Sequence, residues 1–266
     1  MNWSIFNNWK FDTSKNYDWS VFQELDYLYK EALKVKRKQY FTILNRWNNE
    51  LQDLGGDPSN EDWGSFRPLR LGREEDWADW LAFLIEKSSS GYFSELLFNI
   101  KGFQQSDYAR PIEVMREVTD YSREYRADII IRWKNSSFTH FEIKVGDPGL
   151  LKTFKASQRF QKTYDVSDDK WNNYILLLPS QLSDWNRTLM SKKIDVEVLS
   201  LTWKHVSIAL RKSLSKQESV IWKVWAHSFI GIIEQKLLGF ENYWNMEALP
   251  IDINEKIEIL EKSLEI

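Results

Sequence analysis

The chain has 266 residues, of which 42% are hydrophobic and 28% charged, with a formal net charge of −3 and no cysteine. The missing thiols exclude disulfides and thiolate metal sites and suit a reducing cytoplasm, and the slightly acidic balance lacks the overall basic character usual in nucleic-acid binders. No apolar run is long enough to span a bilayer and the opening MNWSIFNNWKFD has no signal-peptide blocks, so a cytoplasmic protein without a membrane partner is expected.

Residues Met1 to Asp53 read as helical. Phe22, Leu25, Leu28 and Tyr29, then Leu33, Tyr40, Ile43, Leu44 and Trp47, follow helical spacing. The basic run Lys34 to Lys38 reads as a solvated helix face rather than a phosphate contact. Seven of the 14 tryptophans fall in the first eighty residues (Trp3, Trp9, Trp19, Trp47, Trp63, Trp77, Trp80), and packing between helices accounts for them better than base stacking. The breakers in Leu54 to Asn60 mark a loop. It divides an N-terminal helical region (1–60) from a core (61–200), which a C-terminal helical region (201–266) follows and packs on.

In the core, Arg73 to Lys87 is the clearest helix. Trp77, Trp80, Leu81 and Leu84 form its apolar stripe, and Glu74 and Glu75 lie in its first turn, where acids suit the helix dipole. A second helical piece covers Phe93 to Ile100. Ile112 to Thr119 reads as a strand, and Ile129 to Ile131 continue a second strand from Asp128. After the turn Lys134 to Ser137, a third strand carries His140, Glu142 and Lys144. A sharp loop at Val145 to Gly149 leads into a helix over Leu150 to Tyr164, with Lys155, Gln158 and Lys162 on one face. The continuous apolar run Tyr174 to Leu178 suits a central strand covered on both sides, and Val196 to Leu199 reads as one more. Beyond Leu201 the chain turns helical, with a long apolar helix over Val220 to Leu238. The amphipathic tail, Ile253 to Leu264, suits packing on the body, on a second copy or on a partner protein.

The chemistry concentrates in the hairpin. Strand residues two apart share a face, so His140, Glu142 and Lys144 point one way, to the open side or end of the sheet, while Phe141, Ile143 and Val145 face the core. The four-residue turn fits a hairpin. Pairing its strands brings Asp128 near Glu142. Two bare carboxylates repel unless one keeps a proton, and a hard cation such as Mg²⁺ removes the conflict through oxygen ligands. The three histidines (His140, His205, His227) are too scattered for a zinc site, and there is no Walker-type glycine loop.

Asp128 followed after about a dozen residues by Glu142-Ile143-Lys144 resembles the PD-(D/E)XK nuclease superfamily, with Ala127 standing where that family often has Pro. The resemblance covers roughly Glu75 to Leu178. It implies a restriction-endonuclease-like α/β (α+β) core, in which a mixed central sheet is flanked by helices and the terminal helices are additions. It implies Mg²⁺, with Mn²⁺ as a substitute, held by Asp128, Glu142, the Ile143 backbone carbonyl and a helix acid. Glu75 is the first choice for that acid, with Glu74, Asp79 and Glu95 as rivals. Lys144 then positions or activates the attacking water, and Gln158, or alternatively Gln161, assists. Lys155, Arg159, Lys162 and Arg126 would contact the nucleic-acid backbone. The implied activity is endo- or exonucleolytic hydrolysis, of DNA rather than RNA, in restriction, repair or antiviral defence. Two other readings remain open: an inactive nucleic-acid binder on the same fold, and a helical scaffold in which the motif is coincidental.

Overall fold

The computed structural model describes residues 20–60, 71–98, 110–146, 150–192, 198–240 and 253–264. Trp3, Trp9, Trp19, Trp63, Ile100, Asp147 and Val196 lie outside these. The elements are α1 (Ser20–Glu50), α2 (Glu74–Lys87), α3 (Tyr92–Phe98), β1 (Pro111–Thr119), β2 (Arg126–Trp133), β3 (Phe138–Ile143), α4 (Leu150–Thr163), β4 (Trp171–Leu177), α5 (Leu182–Lys192), β5 (Leu199–Thr202), α6 (Trp203–Leu214), α7 (Val220–Ile232) and α8 (Ile253–Leu264).

One five-stranded sheet, in the order β1-β2-β3-β4-β5, is antiparallel from β1 to β3 and parallel from β3 to β5. The protein is thus α/β, a mixed sheet flanked by helices. The β2–β3 turn has local causes. Asn135 accepts from the Ser137 N–H (3.0 Å) and hydroxyl (2.6 Å), and Ser136 takes the left-handed φ of 62° that closes the loop.

The sheet buries both faces. Ile129, Ile131, Phe141, Ile143, Tyr174 and Leu176 enter one core with α1, α2, α3, α6, α7 and α8. On the other face Ala127 and Ile130 pack under Ala156 and Phe160 of α4, and Ile175 and Leu177 under Trp185 of α5. β4 is therefore covered on both sides, as its apolar run predicts, and begins three residues earlier, at Trp171. β5 begins at Leu199, where the sequence reading ends a strand, because Tyr174 pairs with Leu199 and the parallel ladder runs on to Thr202. Thr202 ends it by capping α6, its N–H donating to His205 Nδ1 (3.0 Å). His140 shares the strand face of Glu142 but lies deeper. It is 1% exposed beneath α4, its ring lying nearly parallel to those of Phe160 and Trp171, so this part of its strand face is closed.

The expected helix over Val220 to Leu238 stops at Ile232 and continues as a single π turn, Ile233 to Leu237. The turn carries Glu234 into a fully buried ion cluster. Arg211 of α6 meets Glu234 at 2.6 Å and Asp57 at 2.9 Å, with Trp47 of α1 against its guanidinium. Ser207 donates to Glu234 and Ser59 to Asp57. The cluster ties the loop after α1 to α6 and the end of α7. Cutting out one partner strands buried charge, so Arg211→Ala is expected to lower stability by about 3–5 kcal/mol. Urea unfolding of the two proteins checks this.

Candidate active site

The hairpin register builds the site. Ile129 pairs with Phe141, and one step further along the two strands Asp128 faces Glu142. Asp128 Oδ2 accepts the Ile143 N–H at 2.8 Å. Lys144 follows β3 and places Nζ 2.8 Å from Glu142 Oε1. All three are nearly closed to solvent, at 8%, 8% and 9% exposure. The site thus joins two buried carboxylates and an ammonium at the end of the sheet.

The electrostatics follow from that burial. Desolvation, with the Glu142 charge second, pushes the Asp128 carboxyl up to about 7, so the pair holds a proton near neutrality. Burial opposes the charge on Lys144, but Glu142, Asp128 and Glu74 together outweigh it and hold the ammonium above its ordinary range. At neutral pH Lys144 is therefore a hydrogen-bond donor.

Helix α2 aims its first turn at the same place. Glu74 Oε1 accepts the N–H groups of Val145 (3.0 Å) and Gly146 (3.2 Å), and its other oxygen lies 3.5 Å from Lys144 Nζ. The next residue, Glu75, turns to Arg126 at the start of β2 (3.1 Å) and lies 3.9 Å from Arg73. Asp79 pairs with Arg116 of β1, and Glu95 sits half-buried on α3, which packs on α6. Of the four helix acids, Glu74 is the one in contact with Lys144.

The residues of α4 spread apart. Arg159 reaches Asp120 in the β1–β2 turn (3.4 Å). Gln158, Gln161 and Lys162 line a cleft of about 920 Å³ that also touches Trp171 and Asn172 at the start of β4. Phe138 pairs with Trp171 there, so the cleft lies at the far end of β3 from Glu142. Gln161 is engaged with Val166 and Asp168, and Lys155 is exposed.

Glu117 of β1 escaped the sequence reading. It contacts Arg126 at 2.8 Å. Its signal was the adjacent pair Arg116-Glu117, which puts charge on consecutive positions of a strand where one face should be apolar.

No family model, curated protein or solved structure matches the chain. Among the described residues no three acidic or imidazole side chains form a ready metal cluster. The donor chemistry nonetheless fits a hard divalent cation. Mg²⁺ takes one or two carboxylates and completes its shell with water and phosphate, and Asp128 and Glu142 are a pair whose mutual repulsion a cation would relieve.

A pH dependence follows. Asp128 moves from 3.8 in the unfolded chain to about 7 in the fold. Between those values the folded protein holds a proton that the unfolded chain has released, so stability falls as pH rises through the window. Without divalent cations, Asp128→Asn is expected to melt above the parent protein at pH 8, with the difference closing toward pH 4. Thermal scans across that range check this.

Proposed function

We propose that this protein is a divalent-metal-dependent phosphodiester hydrolase acting on nucleic acid, DNA in the first instance, in the cytoplasm. The observation that carries the reading is the meeting of Asp128, Glu142 and Lys144, with Lys144 Nζ 2.8 Å from the carboxylate two residues before it. Element order supports it as well. A helix, a three-strand antiparallel meander, a helix and a strand parallel to the third is the arrangement expected of a restriction-endonuclease-like core.

On this reading Asp128 and Glu142 hold the cation, with the Ile143 carbonyl at the same strand end. The cation would supply Lewis acidity toward the phosphate and a more acidic bound water. Lys144 donates a hydrogen bond to the attacking water and orients its lone pair toward phosphorus. The bond from that oxygen to phosphorus forms as the phosphorus–leaving-oxygen bond breaks; the water's proton passes to solvent and the leaving oxygen takes one up from it. Glu74 fixes Lys144 from the other side and, through the Val145 and Gly146 amides, the strand end that carries it.

Lys144→Ala is expected to keep the fold and nucleic-acid binding and to lose at least about a hundredfold in cutting, the scale of removing one preorganised donor. Supercoiled plasmid and labelled oligonucleotides, each with and without Mg²⁺, measure it; wild-type cutting by the variant would sink the role given to Lys144. Glu142→Ala should also weaken Mg²⁺ binding, and calorimetry showing parent-like affinity would remove Glu142 from the cation site. One observation favours a second reading, a nucleic-acid binder without catalysis: Lys144 is already engaged by two carboxylates. Mg²⁺-dependent binding without cleavage by the wild type would select it.

A further inference from the structure

The β1–β2 ladder is paired at every step from Glu113 to Thr119 except one. The missing step is Glu117, whose partner in register would be Asp128. Glu117 has φ 50°, left-handed backbone in the middle of a strand, a conformation costly for a residue with a long side chain. The break re-aims side chains. Met115 and Val118, three residues apart, both pack in the cluster under α4, whereas Arg116 reaches Asp79 of α2 on the other face. Glu117 is thereby brought to Arg126, the residue two before Asp128.

The contacts on Arg126 are one-sided. Its Nη1 takes both Glu117 (2.8 Å) and Glu75 (3.1 Å). Among the described residues Nε and Nη2 meet no acceptor, and the side chain is 49% exposed. A guanidinium pinned by one nitrogen, with an open edge of two N–H donors, matches two oxygens of a phosphate.

The geometry points to Glu117 as a positioning residue that, with Glu75, holds Arg126 as a clamp for a backbone phosphate of the bound strand beside Asp128. The inference rests on the hydrolase reading for its ligand. The strained φ of Glu117 has a purpose on this account, since an ordinary strand conformation would turn the carboxylate away from Arg126. Glu74, Glu75, Glu117 and Glu142 outnumber Lys144 and Arg126, and a divalent cation held there would lower the repulsion of a polyanion.

The test uses the full chain and a fluorescein-labelled oligonucleotide, with binding followed by anisotropy in Ca²⁺ and cutting followed in Mg²⁺. Arg126→Ala is expected to weaken binding about tenfold, Glu117→Gln to weaken it less, and the double variant to match Arg126→Ala alone. Glu117→Gly should bind as weakly as Glu117→Gln yet melt at or above the wild type, because glycine adopts that φ without strain. A Glu117 that serves the fold alone would instead lower the melting temperature and leave binding unchanged. Parent-like binding by Glu117→Gln, or losses that add in the double variant, would overturn the clamp. A wild type that binds without cutting sinks the hydrolase reading while anisotropy still judges the clamp. One that does not bind at all sinks both.

Discussion

The site depends on the register of one hairpin. Asp128 and Glu142 face each other because Ile129 pairs with Phe141, and that pairing is fixed by apolar residues that must stay inside. Ile129, Ile131, Phe141 and Ile143 all enter the main core. A slip of one residue would turn that set toward α4 and destroy both faces together. The free energy of burying this hairpin is therefore what holds two carboxylates together against their repulsion. Burial first, and that repulsion second, push the Asp128 carboxyl up to about 7.

The helices outside the sheet reach the site through the same core. Trp203, the first residue of α6, donates its indole N–H to the carbonyl of Lys144 (3.3 Å) and packs edge-on against Trp77 of α2. Trp77 lies on the helix whose first turn presents Glu74 and Glu75. One aromatic contact thus couples the rotation of α2 to the backbone that carries Lys144. The Arg211 cluster fixes α6 in turn, by holding its other end to Asp57 and Glu234. The terminal helices are in this sense part of the scaffold that aims the acids.

What could be read from sequence was what is local. The hairpin needs only a period of two and a turn of four residues, so Asp128, Glu142 and Lys144 were legible as a group. The choice between Glu74 and Glu75 was not. They are neighbours in one helical turn, and which of them meets Lys144 depends on how Trp77 seats against Trp203. Gln158 shows the same limit: its helix is plain in the sequence, but the burial of Ala156 and Phe160 sets the roll and course that leave Gln158 over the start of β4. Glu117 required a break in strand geometry, and the Arg211 cluster joins residues 154 and 23 positions apart. No periodicity records either.

The acids are arranged as a row. Glu117, Asp128 and Glu142 occupy matching positions on three adjacent strands, and the two neighbouring acids of α2 reach different ends of the row, Glu74 the ammonium of Lys144 and Glu75 the guanidinium of Arg126. Lys144 closes the row at one end and Arg126 at the other. A purely structural network would gain by balancing its charge, because unpaired carboxylates at the edge of a core cost desolvation energy. This row keeps an excess of negative charge, and burial with the Glu142 charge holds its Asp128 carboxyl well above the ordinary carboxylate range. A small, hard cation would relieve that excess. Adding two positive charges to the row would cancel that excess and leave the open edge of Arg126 and the donor of Lys144 facing whatever anion follows.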